Sequence, residues 1–276
     1  MALNEKYSAL LQRIRKFGGA AVAFSGGVDS SFLCYAAAEA LGTAAAAITI
    51  VSPMMSRCDI DCAEHTASKI GIRHILLKDD TIEAQVAENQ KDRCYYCKKI
   101  EFGAIIAKAH EIGAGVVLDG SNADDERDYR PGLKATAELG VLSPLREAGL
   151  TKAEIRELSR LAGLPTWNKP AAACLASRFP YGEAINVEKL RRVEAAEDVM
   201  RNAGFCNFRV RSHGNIARLE VAPEERRLFF DYTALDALSQ AIKRTGFTFV
   251  AFELEGYRMG SLNAELDITH HENTAL

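Results

Sequence analysis

Ser25-Gly26-Gly27-Val28-Asp29-Ser30-Ser31 sets two adjacent glycines among three hydroxyls and a carboxylate. The apolar run Ala20 to Phe24 leads into it and an apolar-periodic segment, Phe32 to Leu41, leaves it. That order predicts a strand, a tight turn and a helix N-terminus. Free N–H groups at a helix start, the positive end of its dipole and glycines without side chains suit an anion, phosphate above all. Ser25, Ser30 and Ser31 add hydroxyl donors. No lysine follows the glycines, so this is not the G-x-x-x-x-G-K-[ST] loop of enzymes that cleave a γ-phosphate. A glycine turn that binds nothing is the plainer reading of the same residues.

The cysteines and arginines come later in the chain. Cys174 lies in an irregular stretch with Lys169 and Arg178 nearby, surroundings that favour the nucleophilic, metal-binding thiolate. An inert, half-buried cysteine is the alternative there. Cys94 and Cys97 form a C-x-x-C, which can be a redox dithiol, a metal-ligand pair or two helix residues of no special role. Cys94, Cys97 and Cys174 together suit an iron–sulfur cluster with one open iron, its negative charge offset by Arg93, Lys98 and Lys99. Cys58 and Cys62 share a helix face near His65 and read as small fillers, while Cys34 and Cys206 read as packing residues. Arg209 and Arg211 alternate along a strand, so both point to one face, where two guanidinium groups can grip a phosphate or carboxylates. Asp29 and Asp124 are carboxylates able to hold Mg²⁺ against ATP phosphates, and Glu197 and Glu220 are further candidates for a divalent cation.

These residues need elements to position them. Leu10, Leu11, Ile14 and Phe17 mark a first helix ended by Gly18-Gly19. Ala44 to Val51, Arg73 to Leu77 and Gly115 to Leu118 read as apolar strands, separated by helices at Cys58 to Ile70 and from the Cys94 region to His110. Such alternation predicts an α/β fold with a doubly wound parallel sheet, whose ligands sit beyond the carboxyl ends of the strands. Ser25-Gly26-Gly27 and Asp119-Gly120-Ser121-Asn122 both fall there, which makes Gly120 a second candidate for contact with a nucleotide. Thr151 to Glu154 is a capping box, and Pro165 to Gly182 reads as a long functional loop. After it come a helix at Val187 to Gly204, strands at Phe208 to Arg211 and Ala217 to Val221, a helix over Pro223 to Ile242 and a strand at Phe247 to Leu254, a second, smaller α+β domain. The expected organisation is therefore residues 1–168, a cysteine loop and linker at 169–182, and residues 183–276, with a frayed tail after Asp267.

The bulk numbers narrow the classes. In 276 residues, 34 Lys and Arg against 37 Asp and Glu give a formal charge of −3, without the basic field expected for a nucleic-acid partner. No apolar run approaches the roughly 20 residues of a membrane helix, and no signal peptide is evident. Seven cysteines, an odd number, fit a reducing compartment, so the expected location is the cytoplasm.

Taken in order, Ser25-Gly26-Gly27-Val28-Asp29-Ser30, Arg93-Cys94-Tyr95-Tyr96-Cys97-Lys98, Asp119-Gly120-Ser121-Asn122, Ala173-Cys174-Leu175-Ala176-Ser177-Arg178 and Phe208-Arg209-Val210-Arg211 resemble the LarE-type ATP-dependent sulfur transferases. The first motif is shared with other ATP pyrophosphatases; the cysteine loop and the Arg-x-Arg strand are the specific ones. The resemblance implies an adenine nucleotide α-hydrolase-like domain followed by a smaller α/β domain, assembled as a homo-oligomer, trimers of dimers in the family. It implies that ATP and Mg²⁺ bind at Ser25 to Ser31, and that Ser177, Arg178, Arg209 and Arg211 bind a small nucleotide substrate, pyridinium dicarboxylate mononucleotide. A carboxylate of that substrate is adenylylated and becomes a thiocarboxylate. In family members with one active-site cysteine that residue gives up its sulfur; in others three cysteines hold a [4Fe–4S] cluster. Cys94 and Cys97 beside Cys174 depart from the single-cysteine pattern. A tRNA thiolase sharing the pyrophosphate loop and a non-catalytic nucleotide-binding module are the competing readings, and the absence of a glutaminase domain disfavours an amidotransferase-type synthetase.

Overall fold

The computed structural model describes residues 2–127, 131–170 and 173–258. The chain divides into two compact units, Met1–Val86 with Lys91–Ala172, and Ala87–Gln90 with Ala173–Leu276. The division falls inside the segment 169–182. The tail after Asp267 lies outside the described residues.

In the first unit the strands β1 (Ala20–Ala23), β2 (Ala45–Val51), β3 (Arg73–Lys78) and β4 (Val116–Leu118) form one parallel sheet in the order β3-β2-β1-β4. Period-two geometry sends alternate residues of one strand to opposite faces. Ala20 and Val22 join a core with Leu10 and Ile14 of helix α1 (Leu3–Arg15) and Phe32 and Leu33 of helix α2 (Val28–Leu41). Ala21 and Val117 instead pack with Phe102, Ile105 and Ala109 of the helix Arg93–Glu111. Because both faces are covered, β1 and β2 read as unbroken apolar runs, and the sheet is doubly wound as expected.

The second unit carries a three-stranded sheet in the order β5 (Phe208–His213), β6 (Ile216–Val221), β7 (Phe249–Phe252). β5 and β6 are an antiparallel hairpin, and β7 returns parallel to β6 after the helix Tyr232–Arg244. The helices Val187–Asn202 and Tyr232–Arg244 pack against each other and against the sheet, burying Leu190, Val193, Ala196, Met200 and Ile242. The short segment Ala87–Gln90 joins this unit through buried Asn89, whose Nδ2 donates to the Pro180 and Glu183 carbonyls at 2.7 and 3.1 Å.

Some expectations need correction. The helix expected over Pro223 to Ile242 is a 3₁₀ segment, Pro223–Phe230, followed by a separate α-helix. Asp231 makes the break, since its carboxylate accepts the Thr233 and Ala234 amides and caps a new helix. The final strand pairs only over Phe249–Phe252. Cys58 and Cys206 are exposed rather than packed, whereas Cys34 is buried in α2 and burial pushes its thiol far above the ordinary range.

Candidate active site

In the first unit the chain leaves β1 at Phe24, whose amide donates to Ile48 of β2 at 2.8 Å and whose carbonyl accepts from Thr49 Oγ1 at 2.7 Å. This ties the start of the loop to the neighbouring strand. Gly26 turns with φ +68°, and a Cβ added there would lie 3.0 Å from the Ala63 side chain and 3.1 Å from its backbone nitrogen on helix α3 (Arg57–Ile70). Gly27 starts α2, so the amides of Val28, Asp29 and Ser30 precede the first intrahelical bond, from Ser31 N–H to the Gly27 carbonyl at 2.9 Å. Ser30 Oγ donates to that same carbonyl at 3.2 Å and lies 3.3 Å from the Ser25 amide and 3.1 Å from Ser25 Oγ. With its single proton spent, Ser30 accepts both Ser25 contacts and braces the loop. Ser31 is completely buried with no hydrogen bond at its hydroxyl, so what it offers the loop is backbone. Gly120, at the end of β4, packs so closely on the start of α2 that a Cβ there would sit 3.0 Å from the Ser30 nitrogen.

Two lysines flank this turn. Lys152 Nζ donates to Asp29 Oδ2 at 2.5 Å, and the Lys152 amide donates to Asp124 Oδ2 at 2.8 Å. Both expected cation-binding carboxylates thus meet at one helix start. Asp29 Oδ1 is buried with no hydrogen-bond partner. Burial holds the Asp29 carboxyl above its ordinary range, with Lys152 opposing and Asp125 adding to the shift. Lys169 Nζ donates to the Gly26 carbonyl at 3.1 Å and to Asp59 Oδ1 at 2.9 Å. Its charge lies at the glycine turn. Burial works against that charge, but Asp59 and Cys62 outweigh it and the ammonium is held above its usual range. Neither lysine has a local sequence signature; both arrive from more than 100 positions away.

Cys94 and Cys97 lie on the first turn of the helix Arg93–Glu111, both half-buried. Arg93 Nη2 approaches Cys94 Sγ at 3.7 Å, and Cys97 Sγ lies 3.4 Å from Glu101 Oε1. Two soft thiols beside a buried guanidinium are a suitable donor set for an iron–sulfur group. Within each unit, among the described residues, no three His, Cys, Asp or Glu side chains gather around one point.

In the second unit Cys174 is exposed and precedes a 3₁₀ turn, Leu175–Arg178. The Cys174 carbonyl accepts from Ser177 Oγ at 2.8 Å, and Arg178 Nη1 reaches the Ala173 carbonyl at 2.9 Å and Ser177 Oγ at 2.8 Å. The other side of the Arg178 guanidinium grips Glu197, Nε to Oε1 at 2.8 Å and Nη2 to Oε2 at 3.2 Å. Glu197 Oε1 also accepts the Val210 amide at 3.2 Å, an N–H on the edge strand β5. Arg211 donates to the Ser177 carbonyl at 2.6 Å and to Glu220 Oε2 at 3.0 Å, while Arg218 holds the other Glu220 oxygen at 3.0 Å. Glu197 and Glu220, candidates for a divalent cation by residue type, each pair with arginine in this unit. Arg209 donates to the Phe208 carbonyl at 2.6 Å, and burial first, then the nearby Arg178 charge, pull its guanidinium below the usual range. The turn that presents Cys174 is thus clamped from behind by buried arginines.

Known proteins are similar to this chain over different shares of its length. The asparagine synthase family model matches residues 7–125. An uncharacterized protein of Synechocystis is 43% identical over 93% of this chain and 97% of its own length. The pyridinium-3,5-bisthiocarboxylic acid mononucleotide synthase of Lactiplantibacillus plantarum is 35% identical over 96% of each chain. The chain belongs to the LarE family. LarE-family membership makes it an ATP-dependent sulfurtransferase with an ATP pyrophosphatase domain. A tRNA-specific 2-thiouridylase of Thermoanaerobacter pseudethanolicus is similar more distantly, 27% identical over 67% of this chain. No helix among the described residues is long and apolar enough to cross a membrane.

For a LarE-type loop, Asp29 is an informative site. Its carboxyl is raised in the folded state, so it contributes stability below its unfolded value near 3.8 and loses it as pH rises through the raised folded value. Asp29→Asn is therefore expected to raise the thermal midpoint of the ligand-free protein at pH 7 more than at pH 4. The same variant is expected to slow ATP-dependent pyrophosphate release by about 100-fold, because the amide removes the carboxylate charge at the start of α2. Thermal melts at the two pH values and a pyrophosphate assay check both halves.

Proposed function

We propose that this sulfurtransferase acts on the carboxylates of pyridinium-3,5-dicarboxylate mononucleotide and converts them to thiocarboxylates for nickel-pincer nucleotide synthesis. The observation that carries this reading is the exposed Cys174 on a turn clamped by Arg178 and Arg211, with a third buried arginine, Arg209, on the same strand as Arg211. That combination suits a nucleophilic sulfur facing an anionic substrate.

ATP lies with its phosphates on the amides of Val28, Asp29 and Ser30, where the helix start and Lys169 favour negative charge. Asp29, whose Oδ1 is buried with no hydrogen-bond partner, would hold Mg²⁺, which when bound would lower the charge on the leaving pyrophosphate. A substrate carboxylate attacks the α-phosphorus; the bond between the α- and β-phosphates breaks, giving acyl adenylate and pyrophosphate. Arg209 and Arg211 orient the substrate through its phosphate, as planar forks do for such oxygens. Ser177 and Arg178 hold the turn that aims the Cys174 thiol at the acyl carbon. Attack there expels AMP and leaves a thioester; removal of the Cys174 α-proton then breaks Cβ–Sγ, releasing thiocarboxylate and leaving dehydroalanine. Cys94, Cys97 and Cys174 are also, by residue type, the three ligands of a [4Fe–4S] cluster, which when bound would supply sulfide and spare the protein sulfur.

The experiment combines ATP, Mg²⁺ and the dicarboxylate mononucleotide with the full chain and weighs product and protein. Thiolated product with a chain lighter by the elements of H₂S supports the sacrificial route. Thiolated product with an unchanged chain, from protein that carries iron, supports the cluster route. Cys174→Ala is expected to yield no thiolated product while still releasing pyrophosphate; thiolation by that variant rejects the role of Cys174. We further propose that the enzyme works in the cytoplasm as a homo-oligomer, a hexamer by family resemblance. Exposed Phe249 and Tyr232 support an interface, and light scattering in solution checks it.

A further inference from the structure

Arg209 is held in place by a residue that no catalytic step uses. Its guanidinium carbon lies 4.7 Å from the centre of the Tyr257 ring, and its Nη2 lies 3.4 Å from the Tyr257 hydroxyl. The short chain segment that brings Tyr257 there is strictly shaped. Gly256 has φ +76°, and a Cβ on it would fall 2.5 Å from the Val221 carbonyl and 2.8 Å from Arg226 Nη2. The Tyr257 amide then donates to that same Val221 carbonyl at 2.9 Å, at the end of β6. Val221 follows Glu220, which is the cross-strand neighbour of Arg209. A glycine that cannot be replaced without a clash thus fixes an aromatic ring over one particular arginine.

We infer that Tyr257 is a positioning residue for the substrate's anionic group: its ring fixes the plane of the Arg209 guanidinium so that the arginine meets a phosphate already oriented. This inference rests on the proposed binding of the mononucleotide phosphate by Arg209. Burial and the Arg178 charge both work against the Arg209 cation. Glu197 and the Tyr257 ring both offset part of that cost, the ring by stacking on the guanidinium rather than by adding a second carboxylate beside it. The ring also restricts a long side chain to one plane, so less rotamer freedom is lost when the ligand binds. The weight of the effect lies on the stacked ring, because the hydroxyl contact is long for a hydrogen bond.

The test titrates nicotinic acid mononucleotide, a pyridinium carboxylate mononucleotide, into the full chain and into Arg209→Ala, Tyr257→Leu and Tyr257→Phe by calorimetry. It is paired with thermal midpoints and with pyrophosphate release at saturating substrate. Tyr257→Leu is expected to weaken binding about 10-fold while kcat and the thermal midpoint stay close to the parent values. Tyr257→Phe is expected to recover most of that loss, and Arg209→Ala to lose more than either. Parent-like binding in Tyr257→Leu overturns the inference and leaves the Arg209 reading standing. Equal losses in the Phe and Leu variants assign the effect to the hydroxyl and overturn it too. A fall in kcat and midpoint together with affinity makes Tyr257 merely structural, which also overturns it. Parent-like binding in Arg209→Ala rejects the proposed phosphate contact, and the positioning role with it.

Discussion

Replacing Gly26 with alanine is expected to abolish ATP-dependent pyrophosphate release, by at least about 100-fold, and to destabilise the first unit by about 1–3 kcal/mol. The cause is steric and local. The residue sits at φ +68°, where an L side chain is strained, and its new methyl would meet the Ala63 side chain and backbone at 3.0 to 3.1 Å. Helix α3 cannot yield easily, because Ala63 is fully buried in the core beneath the loop. Relief would come from rotating the Gly26 peptide, and that moves the carbonyl that accepts Lys169 Nζ and the amides that follow it. Gly27→Ala is the comparison, since Gly27 has φ −82° and its added Cβ would meet only Ser25 Oγ at 3.4 Å. Its unfolding free energy should stay within about 1 kcal/mol of the parent. Urea denaturation and a pyrophosphate assay on both variants decide the matter; equal destabilisation by the two would refute the steric account.

The other large effect belongs to the buried pair behind Cys174. Arg178 and Glu197 have side chains only 6% and 7% exposed, joined through two contacts. Glu197→Ala leaves a buried guanidinium without its carboxylate and the Val210 amide without its acceptor, at a cost of about 3–5 kcal/mol. Arg178→Ala is expected to cost a similar amount and to free the turn at Ala173 to Ser177. The double variant Arg178→Met with Glu197→Leu separates the two roles. Apolar side chains of similar size should restore most of the stability, because no charge remains buried. Thiolation should stay lost, because the Arg178 donors to the Ala173 and Cys174 carbonyls and to Ser177 Oγ are then gone. Guanidinium unfolding curves and product mass spectra give the two readouts; recovery of thiolation in the double variant would show that the clamp is dispensable.

The fold of the first unit is legible in the sequence because its signals are local. A parallel strand buried on both faces must be apolar without interruption, and a helix start that follows glycines must expose amides, so Ala20 to Leu41 announces strand, loop and helix in one reading. The capping box at Thr151 is equally readable, since Thr151 and Glu154 satisfy each other within one turn. The break at Asp231 is harder: the carboxylate caps a helix inside a stretch that periodicity joins into one. Cys174, Arg209 and Arg211 stand out by residue type and spacing alone.

What the sequence determined by itself, then, is the chemistry on offer: a glycine-rich strand-to-helix turn, a C-x-x-C and a further loop cysteine, and an Arg-x-Arg strand within an α/β chain of the LarE type. The tertiary structure alone decided who serves whom. Lys152 reaches Asp29 across 123 positions, Lys169 reaches Gly26 across 143, and Glu197 and Glu220, acidic residues that suggested a cation, pair with arginines. A buried charge must find an opposite charge or a set of dipoles wherever the chain's packing brings one. Which partner it finds is a property of the packed fold rather than of the spacing along the chain, and this is why Tyr257 rests on Arg209 although 48 positions separate them.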